Sequence, residues 1–84
     1  MTAIEFDGDL AVFHGVVGID DAELLLEWLQ RAVAPRVNFS ECTHLHPANL
    51  QLLMAVNPEV NVWPKDGGLA NWLKSALMTP IKEQ

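Results

Sequence analysis

Residues 37–54 read VNFSECTHLHPANLQLLM, and this stretch places a strand, a loop and the start of a helix in direct succession. Residues 36–40 alternate polar and apolar side chains, which predicts a short central strand. Pro47 suits the first position of a helix, which we expect to continue to Val56. Residues 40–46 form the loop between these two elements and carry several polar side chains.

A hairpin is predicted upstream of this stretch. Residues 3–6 and 10–17 read as two strands, and the turn Asp7-Gly8-Asp9 lies directly between them. Gly15 inside the second strand indicates a bulge or a break. The hairpin contributes an antiparallel pair of strands to the predicted sheet.

An amphipathic helix is predicted over residues 19–34, ending at Pro35. Asp20 is expected to cap it, with Glu23 completing a capping box three residues later. Ile19 and Leu24 stand at the positions of a hydrophobic staple. The predicted buried stripe consists of Ala22, Leu25, Leu26, Leu29, Ala32 and Val33.

A final strand and a final helix follow. Residues 60–63 predict the strand, and Asp66 is placed to cap a helix that runs up to Thr79-Pro80. The complete order is β-β-α-β-α-β-α, which predicts an α/β fold with a small, mainly parallel mixed sheet of about four strands and helices packed on it. We expect residues 1–84 to form a single domain.

The composition excludes several classes of partner and compartment. Eleven acidic residues against five basic ones give a formal net charge of −6, so binding to nucleic acid or to an anionic membrane is not expected. The single cysteine permits no internal disulfide, which suits a reducing cytoplasm. The first residues do not resemble a signal peptide, and no apolar run is long enough to span a membrane. We therefore expect a cytoplasmic protein.

The segment 37–54 resembles the core of the STAS domain, a family named after sulfate transporters and anti-sigma-factor antagonists. Its members show a strand, a short loop with small and acidic residues, and a helix that opens with Ser or Thr and continues through a leucine-rich stretch. Here residues 40–46 correspond to the loop and residues 50–53 to the leucine-rich part. The predicted element order is also similar, so the resemblance covers nearly the whole chain.

The resemblance implies a non-catalytic signalling module without a cofactor. Such modules dock on a protein partner, for example a kinase-like anti-sigma factor or a chemotaxis-type signalling protein, through the loop and the start of the second helix. In the antagonists, phosphorylation of Ser or Thr at that helix start switches docking off. Pro47 occupies this position here, so the usual switch is not expected. The residues expected to bind the partner are Thr43, His44, His46, Pro47 and Asn49.

Cys42, His44 and His46 support an alternative interpretation. On a regular extended segment, side chains two residues apart point the same way, so these three groups would share a metal ion or form a thiol–imidazole pair. The alternative function is accordingly a small metal-binding protein or enzyme. The competing structural interpretation is that His46 caps the second helix or lies on the docking surface, and that Cys42 is buried as a small apolar residue.

Three tryptophans, Trp28, Trp63 and Trp72, are expected to pack in the core. A tryptophan left at the surface would indicate an interface. A homodimer in which Trp28 or Trp72 covers surplus apolar surface is compatible with the signalling module.

Overall fold

A computed structural model describes residues 3–78 and shows a four-stranded mixed sheet with three helices. The elements in chain order are β1 (Ile4–Asp7), β2 (Leu10–Val17), a 3₁₀ helix (Ile19–Asp21), α1 (Ala22–Arg31), β3 (Arg36–Leu45), α2 (Pro47–Val56), β4 (Glu59–Val62) and α3 (Gly67–Met78). The predicted α/β class and the order β-β-α-β-α-β-α are confirmed. The predicted helix end at Thr79-Pro80 lies outside the described residues.

The strands lie in the sheet in the order in which they follow one another in the chain. β1 is antiparallel to β2, whereas β2, β3 and β4 are parallel. The inward-facing residues of the strands enter one apolar core together with residues from all three helices, so the helices cover one face of the sheet. α2 is the middle helix, because it contacts both α1 and α3.

The hairpin turn holds the end of α1 in place. Gly8 has a φ of 60°, which suits its place in the tight turn, and its carbonyl oxygen accepts a 2.8 Å hydrogen bond from Nε1 of Trp28. The Asp9 carboxylate accepts hydrogen bonds from the backbone N–H groups of Val33 and Ala34, each at 3.2 Å. Because the N–H groups of residues 33 and 34 are bonded to Asp9, they do not continue the helix, and α1 ends at Arg31 rather than at residue 34.

The start of the first helix also differs from the prediction. Gly18, rather than Asp20, precedes the first helical turn, which is the 3₁₀ helix. The Asp21 carboxylate accepts hydrogen bonds from the backbone N–H groups of Gly18 at 3.2 Å and of Ala3 at 3.3 Å. Asp21 therefore ties this turn to the start of β1, and the predicted capping box of Asp20 and Glu23 is wrong.

The buried face of α1 is shifted from the predicted stripe. Leu25, Trp28 and Leu29 are buried, whereas Leu26 is 40% exposed and Val33 is 91% exposed. The Trp28 ring packs against Phe6, with ring centroids 5.6 Å apart. Because this large ring lies in the core, the face of α1 that packs on the sheet differs from the predicted face, and Leu26 lies at the surface.

β3 continues to Leu45, so most of the predicted loop 40–46 is strand. Its buried residues are Val37, Phe39, Cys42 and Leu45, at spacings of two, three and three. The pairing register against β2 shifts twice, and each shift places one extra residue in β3. These bulges keep the core residues on one face of the sheet. Because of them, apolar and polar residues do not alternate strictly beyond residue 40, so the alternation in the sequence indicates only the first half of the strand.

Gly15 lies beside the second of these register shifts and has a φ of 59°. A Cβ placed there would have no heavy atom within 4 Å, so only backbone strain opposes a side chain. We expect Gly15→Ala to lower the free energy of unfolding by about 1–2 kcal/mol, measured by urea denaturation. Gly18→Ala is the matched control, because its site is equally open and its φ is −97°. Equal losses in both variants would contradict this explanation.

Candidate functional site

The candidate site lies where β2 and β3 end and lead into helices. The backbone N–H of His46 donates to the carbonyl oxygen of Val17 at 2.9 Å, and Nδ2 of Asn49 donates to the carbonyl oxygen of Gly18 at 2.7 Å. These bonds join the end of β3 and the start of α2 to the end of β2. Val16 and His44 are also direct neighbours across the two strands. Residues from two separate parts of the chain therefore form one surface.

We call this surface the junction surface, and it consists of Val16, Ile19, Thr43, His44 and Pro47. All five residues are exposed, and the two aliphatic side chains are 67% exposed at Val16 and 59% at Ile19. None of the five carries a formal charge at neutral pH. Exposed aliphatic groups grouped with few charges are typical of a surface that another molecule covers.

The start of α2 is held by its own local hydrogen bonds. His46 is the N-cap residue, and its Nδ1 accepts a 3.0 Å hydrogen bond from the backbone N–H of Ala48. Pro47 occupies the first turn and has no N–H to satisfy. The N–H groups of Asn49 and Leu50 donate to the carbonyl oxygen of His46, at 2.9 and 3.3 Å. The predicted helix start at Pro47 and the capping role of His46 are confirmed.

Asn49 lies inside the protein and not on the predicted partner-binding surface. Its side chain is fully buried, and its amide group donates to Gly18 as described above. Its Oδ1 is buried without a hydrogen-bond partner. Asn49 therefore lies beneath the junction surface and helps to position it. Its burial depends on the contact with Gly18, which is far away in the sequence, so the local sequence pattern does not reveal it.

The predicted grouping of Cys42, His44 and His46 does not form. Cys42 is 2% exposed and its Sγ lies 3.5 Å from the carbonyl oxygen of His44, while the His44 side chain is exposed. The bulge between them breaks the alternation that would place both side chains on one face. Within residues 3–78, no three His, Cys, Asp or Glu side chains are grouped so as to hold a metal ion. Burial also raises the pKa of the Cys42 thiol, which keeps it protonated at neutral pH.

The outward face of α2 extends the junction surface. Residues 42–58 are the longest stretch of the chain without Asp, Glu, Lys or Arg, and α2 lies entirely within it. The exposed residues of α2 are Pro47, Gln51, Met54, Ala55 and the final residue Val56. The first four follow helical spacing, and Met54 is 50% exposed. We call these four residues the α2 face. The absence of charge is visible in the sequence and is the signal that would have identified this face.

The uncovered face of the sheet is different in character. It carries a 3.1 Å polar contact between Nε2 of His14 and Oε1 of Glu5, and an ion pair between Nζ of Lys65 and Oε2 of Glu41 at 3.8 Å. Charged, solvated pairs of this kind are ordinary surface features. His14 and Glu41 are partners across β2 and β3, two register pairs before Val16 and His44, so these polar contacts lie next to the strand part of the junction surface.

The tryptophans are divided between core and surface. Trp28 is buried, Trp63 is half-buried, and Trp72 on α3 is 39% exposed. Trp63 packs against Phe39, with ring centroids 6.5 Å apart, and Nζ of Lys74 lies 5.6 Å from its ring centroid. Trp28 is therefore not available to cover a homodimer interface. Of the two tryptophans considered for that interface, Trp72 is the exposed one.

No known protein family, curated protein or solved structure matches this chain. Among the helices of residues 3–78, none has the length and apolar character needed to cross a membrane. The junction surface and the α2 face are the features of residues 3–78 that point to a function.

Proposed function

We propose that this chain is a non-catalytic, STAS-like protein-interaction module of bacterial-type signalling. It docks on a protein partner in the cytoplasm through the junction surface and the start of α2, and it does so without a Ser/Thr phosphorylation switch. The observation that carries this proposal is the exposed, uncharged surface at the ends of β2 and β3. A kinase-like anti-sigma factor or a chemotaxis-type signalling protein is the class of partner that the resemblance favours.

The energetics of this surface favour association with a protein. Full burial of an aliphatic side chain contributes roughly 1.5–3 kcal/mol, and Val16 and Ile19 each expose more than half of theirs. Covering the junction surface requires no formal charge of its own to be desolvated. The backbone beneath it is held by the bonds of His46 and Asn49, so little ordering is needed on binding.

The absence of a usual phosphoacceptor follows from the residue at the helix start. Pro47 lies in the first turn of α2, where phosphorylation of a hydroxyl would add nearly two negative charges to the docking surface. A prolyl ring has no hydroxyl. The proposed module is therefore not switched off by phosphate at this position.

Site-specific photo-crosslinking in the source cells tests the proposal. A photoreactive amino acid replaces Ile19 in the junction surface, and a matched protein carries it at Val33, which is 91% exposed beyond the far end of α1. Mass spectrometry of the adducts identifies the partner. We expect one signalling protein to be crosslinked from position 19 and not from position 33.

The identified partner is then produced in pure form and titrated by calorimetry. Ile19→Asp is expected to weaken its affinity at least about tenfold, because a charge would be buried against the partner. Val33→Asp introduces the same charge elsewhere and is expected to leave the affinity unchanged. Equal crosslinking from both positions, or an unchanged affinity of Ile19→Asp with circular dichroism showing a folded protein, would refute docking at the junction surface.

A further inference from the structure

The cap of α2 depends on the protonation state of one side chain. Nδ1 of His46 accepts the N–H of Ala48, so this nitrogen carries a lone pair and the ring is neutral. In the imidazolium form both ring nitrogens are donors, and the hydrogen bond is lost. A positive charge at a helix N-terminus is also opposed by the helix dipole. Protonation therefore removes the cap and adds a repulsion at the same place.

We infer that His46 is a pH-sensitive cap: its protonation loosens the first turn of α2 and weakens docking at the junction surface. The docking step rests on the proposed function, whereas the loosening of the turn does not. His46 is half-buried, so its ring remains accessible to protons. Histidine is the side chain that most readily changes charge between pH 5 and 8, so mild acidification is the stimulus to which such a cap responds.

The change is confined to the first turn, because the other contacts there do not titrate. The backbone N–H of His46 still donates to Val17, and the Asn49 amide still donates to Gly18. Pro47 has no N–H, so Ala48 provides the first backbone donor of α2. Loss of the imidazole acceptor leaves this donor without its cap and leaves the rest of α2 in place.

Several titratable or charged groups lie on the elements around the helix start. They are His14, Asp20, Asp21, Glu23, Glu27, Arg31, Arg36, Glu41, Cys42, His44 and Lys74. Within residues 3–78 the contacts of ion-pair type join His14 to Glu5 and Lys65 to Glu41, so none of them involves His46. The local change when His46 is protonated is therefore the loss of the cap itself.

Nuclear magnetic resonance of the purified chain between pH 8 and pH 5.5 tests the cap without a partner. In the wild type, the Ala48 amide shift is expected to follow the titration of the His46 ring with the same midpoint. The hydrogen-exchange protection factor of Ala48 is expected to fall about fivefold, the loss that corresponds to removal of a side-chain cap. His46→Asn keeps a capping acceptor that does not titrate, so its Ala48 signal is expected to stay constant. His44→Gln is the matched control and is expected to retain the titration.

A constant Ala48 signal during titration of the His46 ring would overturn the inference. The docking step is tested with the crosslinked partner, as the ratio of affinities at pH 7.5 and pH 5.5 within each variant. This ratio is expected to be about fivefold for the wild type and near one for His46→Asn. Equal ratios would overturn control of docking by His46. Absence of binding at both pH values would instead refute the proposed function, and the Ala48 titration would still decide the cap.

Discussion

Replacement of Trp28 by alanine is expected to lower the free energy of unfolding by about 3–5 kcal/mol. Trp28 is 2% exposed, packs on Phe6 and donates to the carbonyl oxygen of Gly8 in the hairpin turn. The substitution therefore opens a cavity and also removes the bond that joins α1 to the turn. Domains of this kind have a total stability of about 5–15 kcal/mol, so the loss is a large fraction of the whole. Urea denaturation followed by circular dichroism measures it.

Trp72→Ala is the matched control, because Trp72 is 39% exposed on α3. The decrease in unfolding free energy caused by Trp72→Ala is expected to be well below that caused by Trp28→Ala, since much of the Trp72 ring already contacts water. Trp28→Phe retains an aromatic ring and removes the hydrogen bond, so it is expected to fall between the two. A loss at Trp72 equal to that at Trp28 would mean that the core is not organised around the Trp28 ring.

Asn49→Asp is expected to destabilise the protein by about 3–5 kcal/mol at neutral pH, although the two side chains have nearly the same shape. The introduced carboxylate would be fully buried, would lose the donor to Gly18 and would face that carbonyl oxygen with a negative charge. Burial disfavours the charged form, so the pKa of the introduced carboxyl in the folded state is raised above its unfolded value of about 3.9. The ionisation penalty is therefore absent below about pH 3.9, grows as pH rises from there to the folded pKa, and stays constant above it.

Thermal denaturation of wild type and variant across pH measures this difference. Asn71→Asp is the control, because it adds the same charge at an exposed position on α3. Its effect is expected to be small and nearly independent of pH. An equal loss of stability in Asn49→Asp and Asn71→Asp at every pH would refute the buried hydrogen bond between Asn49 and Gly18.

The sequence was sufficient for the elements that are specified locally. The hairpin at Gly8 and the helix starts at Pro47 and Asp66 depend on neighbouring residues, and all three were predicted correctly. Asp66 caps α3 by accepting the N–H of Leu69 at 2.9 Å. Turn and cap signals act over a few residues, so a single sequence displays them directly.

The remaining features depend on contacts between distant parts of the chain. The bulges of β3 become visible only when its register against β2 is known, and they separate Cys42 from His44. The burial of Asn49 depends on the carbonyl oxygen of Gly18, which lies 31 residues away in the chain. The local sequence pattern therefore indicates the strand end and helix start at which the candidate site is proposed, whereas the division between exposed and buried residues there depends on the tertiary structure.

The strand order has a consequence for how the molecule assembles. Each strand pairs with the strand that precedes it in the chain, and the sheet grows in one direction from β1 to β4. A chain emerging from the ribosome can add each new strand to the edge left by the one before, with its connecting helix closing over the same side. No strand must be inserted between two that are already paired, so the loops closed at each step stay short. Such a topology favours folding during synthesis.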